Sequence, residues 1–304
     1  LEDYFQQEGL AYRLVPIKTP RSSENKIGRI EPEILYNNLM NVFNDHTRTD
    51  RINNPNAPKK EPYKYSWGGL NDPRVYNPED NLRLVYQIRY MYLRLAEKYI
   101  EEKQFEKAEK VLDQGNKVLD DKIIPYKLTY QWFYSITSNY YINAYFKLNS
   151  ASGNQKGMKM ANRMLDYLIE DFAWFEKCND RSRSIQSENI SNNITLINQL
   201  TTVIDEGHLK LLQPKFKQIK LAKTGNAIID LWSANIDHGM KNLEESYQTI
   251  GEDFQNLQQL IKVAQLTGNN EVAQKAMQVT ENKVAVMEQI NPQIGNMFRS
   301  SFVK

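Results

Sequence analysis

The chain has 304 residues, of which 40% are hydrophobic and 25% charged, and its net charge is +2. That length can hold one large or two modest domains, and 13 Gly with 11 Pro are too few for an all-β fold with many turns. Because 39 basic and 37 acidic residues are mixed along the chain, the sequence lacks the clustered Lys and Arg of a nucleic-acid footprint.

The first 77 residues differ from the rest. Residues 9–17 alternate apolar side chains in the manner of a strand, and Pro16 confines that strand to an edge or to its own end. Its partner is either a short local strand or a portion of the protein that precedes this chain. Glu31-Pro32-Glu33 predicts a helix start, whereas residues 53–62 lose all periodicity and predict a loop.

From residue 78 onward the pattern is helical. Asn77-Pro78-Glu79-Asp80 is an N-cap signature, and two apolar stripes between Leu84 and Pro125, divided by the polar residues 101–104, predict an antiparallel helix pair. Further stripes predict helices over 125–148, 161–175, 187–212, 229–264 and 273–291. The predicted breaks are a loop at 149–154, Pro214, either Gly239 or Gly251, and Pro292.

One helix pair has the spacing of a tetratricopeptide repeat. Residues 89–122 place large Tyr92, small Ala108 and small Gly115 at the positions where such helices cross, and Phe254–Val286 matches in part. A generic helical bundle, whose crossings also favour small residues, is the alternative. We predict an all-α chain, a tetratricopeptide-like α-α superhelix or helical-hairpin array, with a short strand-containing N-terminal segment. The predicted domains are residues 1–77, 78–186 and 187–304.

The residues that carry chemistry form no recognisable constellation. The one cysteine, Cys178, excludes an intrachain disulfide and a thiolate zinc site, and the residues around it form no local signature of a catalytic nucleophile. His46, His208 and His238 share no spacing typical of a metal site. No run approaches the roughly 20 apolar residues of a membrane span. We predict no catalytic, cofactor-binding or metal-binding residue in this chain.

Aromatic and basic residues near the N-terminus are the candidate partner-binding site, because helical superhelices take extended peptides or glycans on such side chains. They are Tyr12, Arg13, Tyr63, Tyr65, Trp67 and Arg74. The alternative is that these aromatic side chains fix the strand to the first helix pair.

Three segments and the helix pair that follows them carry a resemblance to a known family. The segments are Gly9-Leu10-Ala11-Tyr12-Arg13-Leu14-Val15-Pro16, Tyr36-Asn37-Asn38-Leu39-Met40 and Trp67-Gly68-Gly69-Leu70-Asn71. Together they resemble the soluble C-terminal region of large multi-pass bacterial membrane proteins that are similar to protein O-mannosyltransferases. The resemblance covers roughly residues 1–120.

The resemblance implies that this chain is a piece of a longer membrane protein, on the periplasmic face of the inner membrane. The family's acidic catalytic residues lie in the membrane-embedded part, so none is carried over to this chain. We expect a non-catalytic accessory domain that positions an acceptor protein, a glycan acceptor or another partner of a glycosyltransferase-like parent, with the membrane reached only through the upstream portion. The alternative is a free-standing tetratricopeptide-like adaptor that binds a peptide.

Overall fold

The computed structural model describes residues 2–8, 12–18, 28–42, 74–76, 78–127 and 132–303. Within these ranges the chain forms 12 α-helices and one three-stranded sheet, so the predicted all-α class is confirmed. No described helix combines the length and the apolar composition of a membrane span. The loop predicted at 53–62 lies outside the described residues.

The chain divides into two compact units, residues 1–158 and 159–304. The first holds the strands β1 (Phe5–Gln7), β2 (Tyr12–Leu14) and β3 (Arg29–Ile30) and the helices α1 (Pro32–Tyr36), α2 (Glu79–Glu101), α3 (Phe105–Val118) and α4 (Trp132–Lys147). Helix α5 (Ala151–Lys177) crosses the boundary. The second unit holds α6 (Asp180–Ile185), α7 (Ser187–Val203), α8 (Glu206–Phe216), α9 (Ala222–Met240), α10 (Leu243–Thr267), α11 (Asn270–Ile290) and α12 (Pro292–Phe302).

The sheet has the strand order β2-β1-β3. Strand β1 pairs antiparallel with β2, with Gln6 opposite Arg13, and parallel with β3, with Gln6 opposite Arg29. The strand predicted within 9–17 is therefore Tyr12–Leu14, which ends before Pro16, and the partner it needs is local.

Helix α2 holds the N-terminal elements through buried polar side chains. The Tyr92 hydroxyl donates to the Leu39 carbonyl at 3.0 Å. Arg94 donates to Gln7 Oε1 at 2.7 Å and to the Gly28 carbonyl at 3.1 Å. Since a buried polar group is costly without a partner, these bonds fix the sheet and the π-helix Asn37–Val42 that follows α1 on the helix.

Helices α2 and α3 form the predicted pair, and α2 also packs against α4. The three helices meet at Gly115, where an added Cβ would lie 2.1 Å from the Tyr141 hydroxyl oxygen and 2.9 Å from Tyr92 Cγ. The Tyr141 hydroxyl donates to the Leu112 carbonyl at 3.1 Å. Only a residue without a side chain lets both tyrosines approach α3 this closely.

A fully buried guanidinium ties the end of this helix pair together. Arg89 is 0% exposed and donates to the carbonyls of Leu119 at 3.0 Å and Ile124 at 2.9 Å, with a longer bond to that of Pro125. The rings of Tyr86 and Tyr126 lie within cation–π distance of it, at 4.9 and 5.1 Å. The Tyr86 hydroxyl donates to the Pro125 carbonyl as well, so two side chains of α2 bind the segment after α3.

In the second unit, α9, α10, α11 and α12 pack successively against one another, and α7 packs on α10. Buried apolar side chains such as Trp232, Phe254 and Leu257 form the core. Phe254, Phe298 and Phe302 make an aromatic cluster with ring centroids 5.1 to 5.4 Å apart. The long stripe predicted over 229–264 divides after Gly239, because α9 ends at Met240 and α10 begins at Leu243.

Two predicted breaks near glycine and proline are wrong. Residues 151–154 belong to α5 rather than to a loop, because the Ser150 hydroxyl accepts from the Gly153 amide at 3.0 Å and starts the helix there. Pro214 lies inside α8, in its last turn, where its missing N–H costs only one hydrogen bond near the helix end.

Two other boundaries differ from the sequence pattern. The helix predicted over 187–212 is interrupted, because Asp205 accepts from the His208 amide at 3.0 Å and caps a new helix. Pro292 does follow the end of α11, but it also occupies the first turn of α12, which was not predicted.

Candidate functional site

The structure describes half of the predicted partner-binding residues. Tyr12 is 43% exposed and its ring lies 5.9 Å from that of Phe5 on the neighbouring strand. The Arg13 guanidinium is exposed and pairs with Glu8 at 3.1 Å, and Arg74 is exposed. Tyr63, Tyr65 and Trp67 lie outside the described residues, so their grouping with Tyr12, Arg13 and Arg74 stays a prediction.

The cysteine and the described histidines lie apart from one another in the sequence and serve local roles. Cys178 is a half-buried free thiol at the end of α5. The His208 ring contacts Asp205 at the start of α8, His238 is exposed in the last turn of α9, and His46 lies outside the described residues. Within the described part of the chain no three His, Cys, Asp or Glu side chains are grouped to hold a metal ion.

The corner between α5 and α6 builds the first wall of a groove that the sequence did not predict. The Asn179 side chain accepts from the Ser182 amide at 2.9 Å and caps α6. Arg183 folds back and is only 6% exposed. It donates to the carbonyls of Phe175 and Cys178 and to the Asp180 carboxylate, so it satisfies the C-terminal carbonyls of α5.

The same end of α5 positions the second wall. The Glu176 carboxylate accepts from the backbone amides of Lys223 at 3.1 Å and Thr224 at 2.7 Å, the first free N–H groups of α9. A carboxylate at the N-terminus of α9 is stabilised by the dipole of that helix. One turn of α5 therefore fixes both α6 and the start of α9.

Between these walls lies an open groove of about 800 Å³, which we call the α6–α9 groove. It is lined by Asp180, Arg183 and Ser184 of α6 and by residues of 222–231 on α9. Buried Ile228 and half-buried Ala227 and Leu231 supply apolar surface, while Lys223 and Asn226 are exposed. Its volume falls within the roughly 300–1,000 Å³ of ligand sites, which combine apolar walls with few polar groups.

The charges around the groove are mostly compensated. Asp180 pairs with Arg183, Asp230 pairs with Lys275 of α11 at 2.7 Å, and Glu176 is bound by backbone amides. Lys223 lines the groove and forms no ion pair with any residue in the described ranges. An ammonium group is thus left as the uncompensated charge of the lining.

A buried carboxyl group lies elsewhere in the same unit. Asp253 of α10 is 7% exposed, and burial raises its pKa to about 6, with the negative charge of Glu252 adding to the rise and a hydrogen bond to Asn235 opposing it. This carboxyl accepts a proton at pH values where ordinary carboxylates stay charged.

We expect the contribution of Asp253 to the unfolding free energy to fall as the pH rises from about 4 to 6, because its folded-state pKa lies above the roughly 3.9 of an unfolded aspartate. Asp253→Asn removes that loss and is expected to stabilise the protein by about 1–2 kcal/mol at pH 7.5 and by almost nothing at pH 4. Urea titrations at both pH values measure the difference. Asp237→Asn, at an exposed carboxylate paired with Lys283, is the control. An equal effect of Asp253→Asn at the two pH values would contradict the expectation.

Comparisons with known proteins give no relative: no family model, no curated protein and no solved structure matches this chain.

Proposed function

We propose that this chain is an interaction domain that binds an extended segment of a partner protein in the α6–α9 groove. The observation that carries the proposal is the groove itself, whose apolar floor and polar rim lie between two helices anchored to the same turn of α5. Such fixed walls keep the ordering cost of binding low.

The dimensions of the groove favour an extended peptide over a compact ligand. The lining residues 222–231 of α9 span roughly 14 Å at about 1.5 Å per residue. That distance matches about four residues of an extended chain at roughly 3.3 Å each. Exposed Asn226 offers an amide at the rim that can donate to or accept from a peptide backbone.

We further propose that the domain serves a glycosyltransferase-like membrane protein as its periplasmic accessory part, positioning an acceptor or an assembly partner. This proposal rests on the resemblance carried by residues 9–16, 36–40 and 67–71. The helix hairpins support the tetratricopeptide-like part of it, because α2 packs on both α3 and α4 and the crossing at Gly115 uses a small residue. A free-standing peptide-binding adaptor would use the same groove.

Selection of a random 12-residue peptide phage library on the 304-residue chain tests the groove. We expect enriched peptides to lose at least about tenfold in affinity when Ala227→Tyr fills the groove, because Ala227 lies in its wall. Fluorescence anisotropy with labelled synthetic peptides measures the change.

Ala234→Tyr is the matched control, since Ala234 is exposed on the same helix and does not line the groove. Both variants carry the same cost in helix propensity, of about 0.5 kcal/mol. Peptides that bind Ala227→Tyr as tightly as the unaltered chain, or a selection that enriches none, would overturn the proposal.

A further inference from the structure

The chemistry of the α6–α9 groove also indicates which peptide it takes, an inference that rests on the function proposed above. We infer that the occupant is an acidic peptide, whose carboxylates lie against the Lys223 end of the groove while an aliphatic side chain packs on Ala227, Ile228 and Leu231.

The two acids that line the groove, and Glu176 at the start of α9, already have partners. Asp180 is held by Arg183, Asp230 by Lys275, and Glu176 by the first amides of α9. The Lys223 ammonium forms no ion pair with a described residue. The Arg183 guanidinium is buried and bound to carbonyls at the end of α5. A ligand that approaches this end meets positive charge.

The segment leading into α9 adds to that charge. Lys217 and Lys220 are exposed and form no ion pair with a described residue, whereas Lys215 is bound by Asp166 and the Asn162 carbonyl. Lys217, Lys220 and Lys223 thus recur at intervals of three residues up to the mouth of the groove. Such a cluster attracts carboxylates and raises the association rate at low salt.

The opposite end of the lining carries the apolar side chains, beside Asp230, whose carboxylate is paired with Lys275. Ile228 is 1% exposed there, and Ala227 and Leu231 are half-buried. The Asn226 amide donates to the Ala222 carbonyl at 2.7 Å, which leaves its side-chain oxygen free to accept from a peptide N–H. Acidic residues next to an aliphatic one therefore complement the groove along its length.

The test compares phage selections on the unaltered chain and on Lys223→Glu. We expect peptides enriched on the unaltered chain to carry an excess of Asp and Glu. We expect Lys223→Glu to weaken a synthetic peptide of that pool about five- to thirtyfold at low salt, because one attraction becomes a repulsion. In about 0.5 M NaCl the difference should shrink.

Lys241→Glu is the matched control, an exposed lysine just past the other end of α9 that no described acid pairs with, and it should leave the affinity unchanged. Peptides that bind Ala227→Tyr more weakly, but show no excess of Asp and Glu and bind Lys223→Glu as tightly as the unaltered chain, would overturn this inference. The proposed function would then still stand. Acidic peptides that bind Ala227→Tyr undiminished would overturn it as well, because their site would lie outside the groove. The absence of any groove-dependent peptide would overturn both.

Discussion

Replacing Arg89 with methionine is expected to lower the free energy of unfolding by about 3–5 kcal/mol. Methionine fills much of the same space but leaves the buried carbonyls of Leu119 and Ile124 without donors, at about 1–3 kcal/mol each. It also removes the contacts of the guanidinium with the rings of Tyr86 and Tyr126. Arg89→Lys should recover only part of the loss, because one ammonium cannot reproduce the planar fork.

Urea unfolding followed by circular dichroism, fitted with a transition for each unit, measures the change. Lys98→Met, on the same helix, is the control, since Lys98 is partly exposed and, among the described residues, pairs with Glu101 and Glu102 at the end of that helix. That substitution should change stability by no more than about 0.5 kcal/mol. A loss below about 1 kcal/mol for Arg89→Met would show that the carbonyls find other partners.

Replacing Gly115 with alanine is expected to destabilise the first unit by about 2–4 kcal/mol. The new methyl group would meet the Tyr141 hydroxyl at 2.1 Å, so the tyrosine must move and give up its bond to the Leu112 carbonyl. Alanine gains only about 1 kcal/mol in helix propensity, which the clash exceeds.

Gly251→Ala is the opposite case and the internal control. Gly251 also lies inside a helix, but the nearest atom to its added Cβ is Phe298 Cζ at 4.0 Å. We expect that substitution to stabilise the second unit by about 0.5–1 kcal/mol. The same urea titrations compare Gly115→Ala with Gly251→Ala. Equal changes in unfolding free energy would mean that the close approach of Tyr92 and Tyr141 does not require glycine at position 115.

Much of the fold follows from the sequence pattern, and the errors have local causes. The stripes around Tyr92 and Trp232 predicted helices that exist, because periodic burial dominates helix formation. The predicted helix boundaries were wrong where a single side chain caps a helix or where a proline is accommodated near a helix end. Asp205 and Ser150 start helices by accepting one amide each, and Pro214 is tolerated because so little helix follows it.

The groove could not be predicted because its walls are about forty residues apart in the chain. Nothing in the sequence around Arg183 indicates that it folds back onto the carbonyls of α5, nor that Glu176 reaches the start of α9. Lys215, Lys217, Lys220 and Lys223 lie close together in the sequence, but the sequence does not show which of them already pair with an acid. Tertiary contacts alone provide that information.

The order in which α9 to α12 pack has a kinetic consequence. Each of these helices touches the next one or the next but one in the chain, so the contacts among these four join neighbouring segments, whereas α7 closes a longer loop onto α10. Topologies of this kind are among the fastest to form, on timescales of roughly microseconds to milliseconds. The four helices α9 to α12 can thus pack early in folding, and their apolar stripes spend little time exposed to aggregation.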